Sequence, residues 1–212
     1  ENDFFKNMPH PLIFTKISWH IIERLESLID GPFEKQLLSR IIHQSESIFY
    51  YSKLCADTRI LVKTRIWNIS SHKRGTKIKI RFDYYNEKIL LATEYSGGLL
   101  FGVKCQGKSR DKGFVPETLR LSESVPLWQT TFMVSEKLPY EYAGKARIDA
   151  PIHTNHDYAV SLGLKDVLLQ GTCLFALAIN TLLKNEQVTD TIAIKEISAK
   201  FGDKSNPLLV SV

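Results

Sequence analysis

The stretch ARIDAPIHTNHDYAVSLGLKDVLLQGT (residues 146–172) bears most directly on the fold and chemistry of this chain. It places one histidine, His153, directly after a Pro-Ile pair and eighteen residues ahead of Gly171. Gly171 precedes the run CLFALAINTLL (173–183), which is apolar nearly all round, as expected of a helix buried within a curved sheet. The stretch therefore predicts a loop histidine and a glycine at the start of a buried helix.

The composition is that of a soluble globular protein with enough residues for a sizeable core. The chain has 212 residues, of which 43% are hydrophobic and 24% charged, so it can hold one large domain or two small ones. Its net charge of +5 suits an anionic ligand but is too small to indicate nucleic acid binding. No apolar run has transmembrane length, and no signal-peptide pattern opens the sequence. Three scattered cysteines fit neither disulfides nor zinc, so we expect a cytoplasmic setting.

Hydrophobic periodicity predicts a helix, then a long antiparallel meander, then a second helix among strands. Helical spacing covers residues 17–29, and a short helical turn follows around 33–38. The period then changes to two, which predicts four strands at 47–54, 58–69, 76–85 and 88–103. In the second half, the pattern predicts a strand at 127–136, the apolar helix at 173–183 and a strand at 191–201.

The order of these elements predicts two structural units of unequal length. Residues 1–103 form the first unit, the polar and glycine-containing segment 104–118 is the linker, and residues 119–212 form the second unit. The second unit has a central helix but lacks the long meander of the first. We therefore expect it to be incomplete, with the missing strands supplied by further residues, by another copy or by a second chain.

Residues 142–177 resemble the signature of the MaoC-type family, the (R)-specific enoyl hydratases and 3-hydroxyacyl dehydratases of the hotdog fold. The matching positions are Tyr142-Ala143, Pro151-Ile152-His153, Ala159, Gly163-Leu164 and the helix-opening Gly171. The first half resembles the degenerate first repeat of double-hotdog members more weakly, through Pro9 to Leu12 and Ile41 to Ser47. The resemblance implies an α+β double hotdog, in which two antiparallel sheets each wrap on a central helix.

The resemblance also implies a chemistry, the reversible addition of water to an enoyl thioester, without a metal or redox cofactor. His153 would be the acid/base residue, and the Gly171 N–H would stabilise the enolate-like oxygen of the transition state. Gln170, Thr172 and Tyr142 would bind the substrate, an acyl chain carried by CoA or acyl carrier protein. The resemblance thus implies a lyase of fatty acid metabolism.

Two positions depart from the family signature. The family aspartate lies five residues before the histidine and its asparagine three before, and these positions hold Ile148 and Ala150. An isoleucine can neither bind nor deprotonate water. Asp149 is adjacent, and we hypothesise that it takes over the missing role. Gln170 replaces the family histidine before the helix glycine, although the amide of Gly171 is retained.

Each candidate residue also has a structural interpretation. His153 could be hydrogen-bonded in a loop, Asp149 could be an exposed carboxylate, and Gly171 could permit tight packing of the helix on the sheet. His156 and Asp157 could join His153 in a metal site, but the sequence offers no further ligands, which favours solvated loop residues.

Other features leave the function open between three classes. His43 and Glu46 could form a second acid/base pair, although we interpret them as structural, and Cys173 reads as a buried, inert thiol. The leading hypothesis is a hydratase or dehydratase. The alternatives are a catalytically impaired acyl-thioester-binding or structural subunit, and a hotdog thioesterase, against which the Pro-Ile-His loop speaks.

Overall fold

The computed structural model describes residues 9–28, 37, 41–111, 113, 129–131, 133–148, 150–188, 194–201 and 208–211. Its helices are α1 (Ile13–Ile22), α2 (Leu25–Leu28), α3 (Leu138–Ala146), α4 (Pro151–Thr154), α5 (His156–Ser161) and α6 (Gly171–Asn185). Its strands are β1 (Ile41–Tyr50), β2 (Leu61–His72), β3 (Gly75–Asn86), β4 (Ile89–Phe101), β5 (Arg110–Asp111), β6 (Glu196–Phe201) and β7 (Leu208–Ser211). Within these residues, no helix is long and apolar enough to cross a membrane.

The strands form one seven-stranded antiparallel sheet in the order β5-β2-β3-β4-β1-β6-β7. The predicted α+β class, with antiparallel strands and a central helix, is confirmed. The arrangement differs in one respect, because the strands of both halves join edge to edge in a continuous sheet. β6 pairs with β1 from Ser45↔Lys200 to Phe49↔Glu196, which satisfies the backbone groups that β1 would otherwise expose.

The helices α1 and α6 contribute to one hydrophobic core on this sheet. Phe175, Ile179 and Leu183 of α6 are spaced four residues apart and are almost completely buried, as expected of one helix face. The ring of Phe14 in α1 lies 4.4 Å from that of Tyr84 in β3. At about 1.5–3 kcal/mol for each large side chain that is buried, this core fixes the position of α6.

His10, ahead of α1, is tied to the middle of α6 by a partly buried polar contact. Its Nδ1 accepts a hydrogen bond from the Leu12 N–H at 3.1 Å, so Nε2 carries the hydrogen of the neutral ring. This Nε2–H donates to Asn180 Oδ1 at 2.9 Å. The one amide side chain within the apolar run of α6 is thus hydrogen-bonded.

Several predicted element bounds are wrong. The predicted helix 17–29 begins earlier, at Ile13, and is divided into α1 and α2. The predicted strand 47–54 is shifted to 41–50, because a bulge between His43 and Ser45 interrupts the alternation. Of the short helix expected at 33–38, only residue 37 is described.

The strand predicted at 127–136 is not observed in its described part. Residues 129–131 and 133–135 belong to no strand, and Met133 is 97% exposed. The described residues of this stretch are exposed, so no buried face stabilises a strand here. In the predicted linker, Arg110 and Asp111 pair with Ile69 and Asn68 at the edge of the sheet. The division of the chain at 104–118 remains a prediction.

Candidate functional site

The start of α6 presents backbone N–H groups that have no partner within the helix. Gln170 is the N-cap residue, and its carbonyl accepts hydrogen bonds from the N–H groups of Cys173 and Leu174 at 3.0 and 3.1 Å. Gly171 and Thr172 are the first two residues of the helix, so their N–H groups point out of its end. The partial positive charge of this end favours an oxygen that gains negative charge.

Gly171 packs closely against an aromatic neighbour. A Cβ atom at Gly171 would lie 3.3 Å from Cδ1 and Cε1 of the Phe201 ring. The same ring lies 4.4 Å from the His43 ring and 6.1 Å from the Phe175 ring, measured between centroids. Gly171 therefore permits tight packing of α6 against Phe201 of β6. This role is compatible with a second role for the Gly171 N–H as a hydrogen-bond donor to a substrate.

Helix α3 packs against the start of α6 through two polar contacts. Gln170 is 2% exposed, and its Nε2 donates to the Pro139 carbonyl at 2.9 Å. Tyr142 is hydrogen-bonded to the side chain of Thr172, and burial raises the pKa of Tyr142 above its usual value. The structure thus brings Tyr142, Gln170, Gly171 and Thr172 together. Gln170 acts here as a structural contact between two helices.

The neighbouring thiol is inert, as predicted. Cys173 is 3% exposed, and burial raises its pKa to about 11. The thiolate is the nucleophilic form of cysteine. Cys173 therefore does not supply a nucleophile near neutral pH.

His153 lies in α4, and its ring is held in one tautomer. Its Nδ1 is 2.7 Å from the Leu168 carbonyl, and because a carbonyl can only accept, Nδ1 carries the hydrogen. The neutral ring then has an unprotonated Nε2. Burial lowers the pKa of His153, and the hydrogen bond to Leu168 offsets part of this effect. His153 is therefore a neutral base with a fixed orientation.

A second hydrogen bond joins α4 to the segment that leads into α6. The Leu168 N–H donates to the Ile152 carbonyl at 3.1 Å, beside the bond from His153 to the Leu168 carbonyl. Leu168 lies three residues ahead of Gly171. The histidine is therefore positioned by the same backbone segment that begins α6.

Ile148 is an apolar packing residue where the family signature has an aspartate. Its side chain is 7% exposed, and its N–H donates to the Ala143 carbonyl at 3.1 Å. Asp149, the hypothesised substitute, lies outside the described residues.

The predicted loop position of His153 is wrong, because the residue lies in the short helix α4. The following residues support α5, the helix after it. Asn155 caps α5 by accepting from the Tyr158 N–H at 2.9 Å, and Ala159 is completely buried. Gly163 has φ +81°, while the Leu164 N–H reaches back to the Ala159 carbonyl at 3.1 Å. This is a helix C-terminus that favours glycine.

His156 and Asp157 are solvated, in agreement with the favoured interpretation, although they begin α5 and do not lie in a loop. His156 is 59% exposed, and its Nδ1 lies 3.5 Å from the fully exposed carboxylate of Asp157. In the part of the chain that the structure describes, no three His, Cys, Asp or Glu side chains are placed to hold a metal ion.

Comparison with known proteins identifies the fold. No family model and no curated protein sequence matches this chain. Among solved structures, the MaoC-like dehydratase from Phytophthora capsici has a TM-score of 0.68 and 19% identity, over 82% of this chain and 59% of that one. HtdX from Mycobacterium tuberculosis has a TM-score of 0.61 and 17% identity, over 93% of this chain and 74% of that one. The chain has the fold of the MaoC-like dehydratases.

The same MaoC-like fold occurs in a larger protein, the peroxisomal multifunctional enzyme type 2 from Drosophila melanogaster. Its TM-score is 0.65 at 15% identity, and the match covers 88% of this chain and 32% of that one. The present chain spans 59% of the Phytophthora protein. The resemblance predicted from residues 142–177 is thus confirmed for the fold.

Within this MaoC-like fold, the site includes two residues that the sequence did not predict, Leu168 and Phe201. Leu168 orients His153 through its backbone carbonyl, which leaves no signal in the identity of the side chain. Phe201 covers Gly171 from a strand thirty residues further along the chain. It appeared in the sequence only as the apolar end of a predicted strand.

Proposed function

We propose that this chain catalyses the reversible hydration of a 2-enoyl thioester to a 3-hydroxyacyl thioester, carried by CoA or acyl carrier protein. The observation that carries the proposal is the fixed tautomer of His153, held by Leu168 just ahead of the start of α6. It supports a neutral base that is held by the segment leading to the N–H donors at the start of α6. We place this activity in the cytoplasm.

The start of α6 would stabilise the developing charge of the thioester. When water adds to the double bond, the thioester carbonyl becomes enolate-like, and its oxygen gains negative charge. The N–H of Gly171 would donate to this oxygen, with the helix dipole in the same direction. Removal of one such donor typically costs about 10²–10³ in rate.

His153 would move the proton of water. Its Nε2 accepts a proton from the attacking water as the C–O bond forms at the β-carbon, and the α-carbon then receives a proton. The hydrogen on Nδ1 remains bonded to the Leu168 carbonyl, which stabilises the transient imidazolium. A second acid/base group would share this work, and Asp149 is our candidate because it is adjacent to the family aspartate position.

A second candidate function is binding of acyl thioesters without turnover. The buried side chain of Ile148 favours it, because the position that holds a carboxylate in the family signature is here part of the packing. A partner strand, from another copy or another chain, would fit either function.

The proposed function is tested by incubating the wild-type protein with crotonyl-CoA and following the loss of enoyl absorbance. Loss of absorbance with formation of 3-hydroxybutyryl-CoA, and no free CoA, is the expected result. Bound but unchanged crotonyl-CoA would overturn the hydratase proposal in favour of a binding protein. Release of free CoA would overturn it in favour of a thioesterase.

A further inference from the structure

The first half contains a buried acid cluster, which we define by His43, Glu46, Glu94, Ser18 and Tyr84. It lies between α1 and the middle of the sheet, where β1, β3 and β4 run side by side. Glu46, Glu94, Ser18 and Tyr84 are each 0% exposed, and the His43 side chain is 9% exposed. Two carboxyl groups are thus enclosed in the protein interior, and neither belongs to the site at α6.

The contacts of Glu94 accommodate a protonated carboxyl group. Ser18 Oγ lies 2.5 Å from Glu94 Oε1, and the Tyr84 hydroxyl contacts Oε2. Each hydroxyl also lies near a backbone carbonyl, of Thr15 at 3.0 Å and of Phe14 at 3.1 Å. Because a hydroxyl has one hydrogen, either one can donate to its carbonyl and accept the hydrogen of Glu94 instead.

Glu46 has few donors for a buried carboxylate. Its Oε2 lies 2.8 Å from His43 Nε2, and Ser96 also bonds to its side chain. Its Oε1 is buried without a donor among the described residues. Glu46 lies opposite Ser96 in the pairing of β1 with β4, so Glu94, two residues before Ser96, is its diagonal neighbour on the same face of the sheet. Two carboxyl groups can bond to each other only if one of them carries a proton. That proton would satisfy Oε1 of Glu46.

Next to the cluster is a cavity the size of about one water molecule, lined by Trp19, His43 and Ser96 among apolar side chains. His43 Nε2 also lies 3.1 Å from the Ser45 carbonyl, so Nε2 carries the hydrogen and Nδ1 is an acceptor. Both His43 Nδ1 and Trp19 Nε1 are buried without a partner among the described residues. One water could accept from Trp19 and donate to His43.

We propose that the buried acid cluster is an internal binding site for one proton, shared by Glu46 and Glu94, and one water molecule, held by Trp19 and His43. The site is separate from the start of α6, and the ring of Phe201 lies between them. The proposal does not depend on the proposed hydratase function.

The charged groups around the cluster agree with this assignment. Burial raises the pKa of Glu46 to about 7, and burial together with the charge of Glu46 raises the pKa of Glu94 well above its usual range. Burial lowers the pKa of His43 to about 4, so the ring is neutral. Tyr50 has a raised pKa for the same reason and also stays neutral. Lys79 acts on Glu46 only through its charge.

The proton predicts a loss of stability as the pH rises. The pKa of Glu94 is raised well above the ordinary carboxyl value, so above that ordinary value the folded state keeps the proton while the unfolded state loses it. The folding equilibrium constant therefore falls by about tenfold per pH unit as the pH rises from the ordinary carboxyl value toward the raised pKa of Glu94. Glu46 adds to this fall only up to its own raised pKa of about 7.

Glu94→Gln tests the proposed proton. Glutamine is neutral, has nearly the shape of a protonated glutamic acid and can donate a hydrogen bond to Glu46. A pH titration followed by carboxyl ¹³C NMR should show one glutamic acid in the wild type that stays protonated well above the ordinary carboxyl pKa, and Glu94→Gln should lose it. The variant should also lose the tenfold dependence per pH unit. Absence of a protonated carboxyl in the wild type would overturn the proposal, and this spectrum is decisive even if the variant fails to fold.

Trp19→Phe tests the water. The wild-type Trp19 indole N–H should show a nuclear Overhauser effect to a long-lived water, which the variant loses. The Trp67 indole, which donates to the Gly113 carbonyl at 3.3 Å on the surface, is the internal control. A Trp19 indole without a water contact would overturn this half of the proposal.

Discussion

At the scale of single residues, the candidate site depends on Gly171 in two ways. Its N–H lies at the free end of α6, and its missing side chain leaves room for the Phe201 ring. The sequence pointed to this glycine through its place before an apolar helix. It could not point to Phe201, because a contact between a helix start and a strand thirty residues later has no local signal.

Gly171→Ala is expected to lower the free energy of unfolding by about 1 kcal/mol. The added methyl would lie 3.3 Å from the Phe201 ring, and overpacking of this kind costs about 1–3 kcal/mol. The better helix propensity of alanine offsets up to about 1 kcal/mol of that cost. Urea unfolding measures the change. Gly144→Ala in α3 is the matched control, since its Cβ would meet nothing within 4 Å, and it should stabilise by about 0.5–1 kcal/mol.

Asp149→Asn is expected to lower the hydration rate by about 10² or more, on the usual magnitude of general acid–base catalysis. The reason is that Ile148 is buried and Asp149 is the adjacent carboxylate. Crotonyl-CoA hydration measures the effect, with Asp157→Asn, an exposed carboxylate in the first turn of α5, as the control. A near-normal rate in Asp149→Asn would retire the hypothesis.

At the scale of secondary structure, periodicity found the long elements and missed the short ones. The apolar helix at 173–183 is the core of α6, and the predicted strands at 58–69, 76–85 and 88–103 correspond to β2, β3 and β4. Helices α3, α4 and α5 have nine, four and six residues. Elements this short offer too few turns for an amphipathic pattern and depend on tertiary contacts. The Leu168 bonds that position α4 are such contacts.

The pH dependence of hydration should report the environment of α4. His153 must be neutral to accept a proton, and burial lowers its pKa. The acid limb of kcat/KM is therefore expected at a pH below 6.5, the ordinary histidine value. An acid limb above 6.5 would contradict the orientation and burial of His153 described here.

Asp83→Asn is expected to lower the free energy of unfolding by about 1–3 kcal/mol at pH 7, the usual range for hydrogen bonds to a charged group. Asp83 joins β2 and β3, since its carboxylate lies 2.8 Å from both Arg65 and Arg81. Burial alone would raise its pKa, but bonds from Arg81 and Thr93 hold the pKa below its usual value.

The sign of this effect follows from the lowered pKa of Asp83. The stabilisation is present above the ordinary aspartate pKa and is lost as the pH falls through the lowered folded pKa. The wild type and Asp83→Asn should therefore converge in strongly acidic solution. Glu136→Gln, at an exposed position, is the control, and an equal loss in both variants would refute the account.

At the scale of the whole molecule, the two halves share one sheet through the pairing of β6 with β1. The sequence predicted the order of helix, meander, helix and strand, and the MaoC-like fold followed from a motif confined to 142–177. It did not predict that the sheet is continuous, because the pairing of β1 with β6 joins distant parts of the chain and leaves no local pattern. Nor could it show the buried acid cluster, since Ser18, Glu46, Tyr84 and Glu94 come from four separate elements.

The measurement that tests the central claim most directly is the crotonyl-CoA hydration rate of His153→Ala beside that of His156→Ala. His156 is an exposed histidine three residues away. Comparing the two variants therefore separates the contribution of His153, which Leu168 orients, from that of an exposed histidine. The account predicts a rate about 10²–10⁴ lower in His153→Ala, the usual contribution of a general base, and an unchanged rate in His156→Ala. A His153→Ala protein that folds and hydrates crotonyl-CoA as fast as the wild type would contradict it.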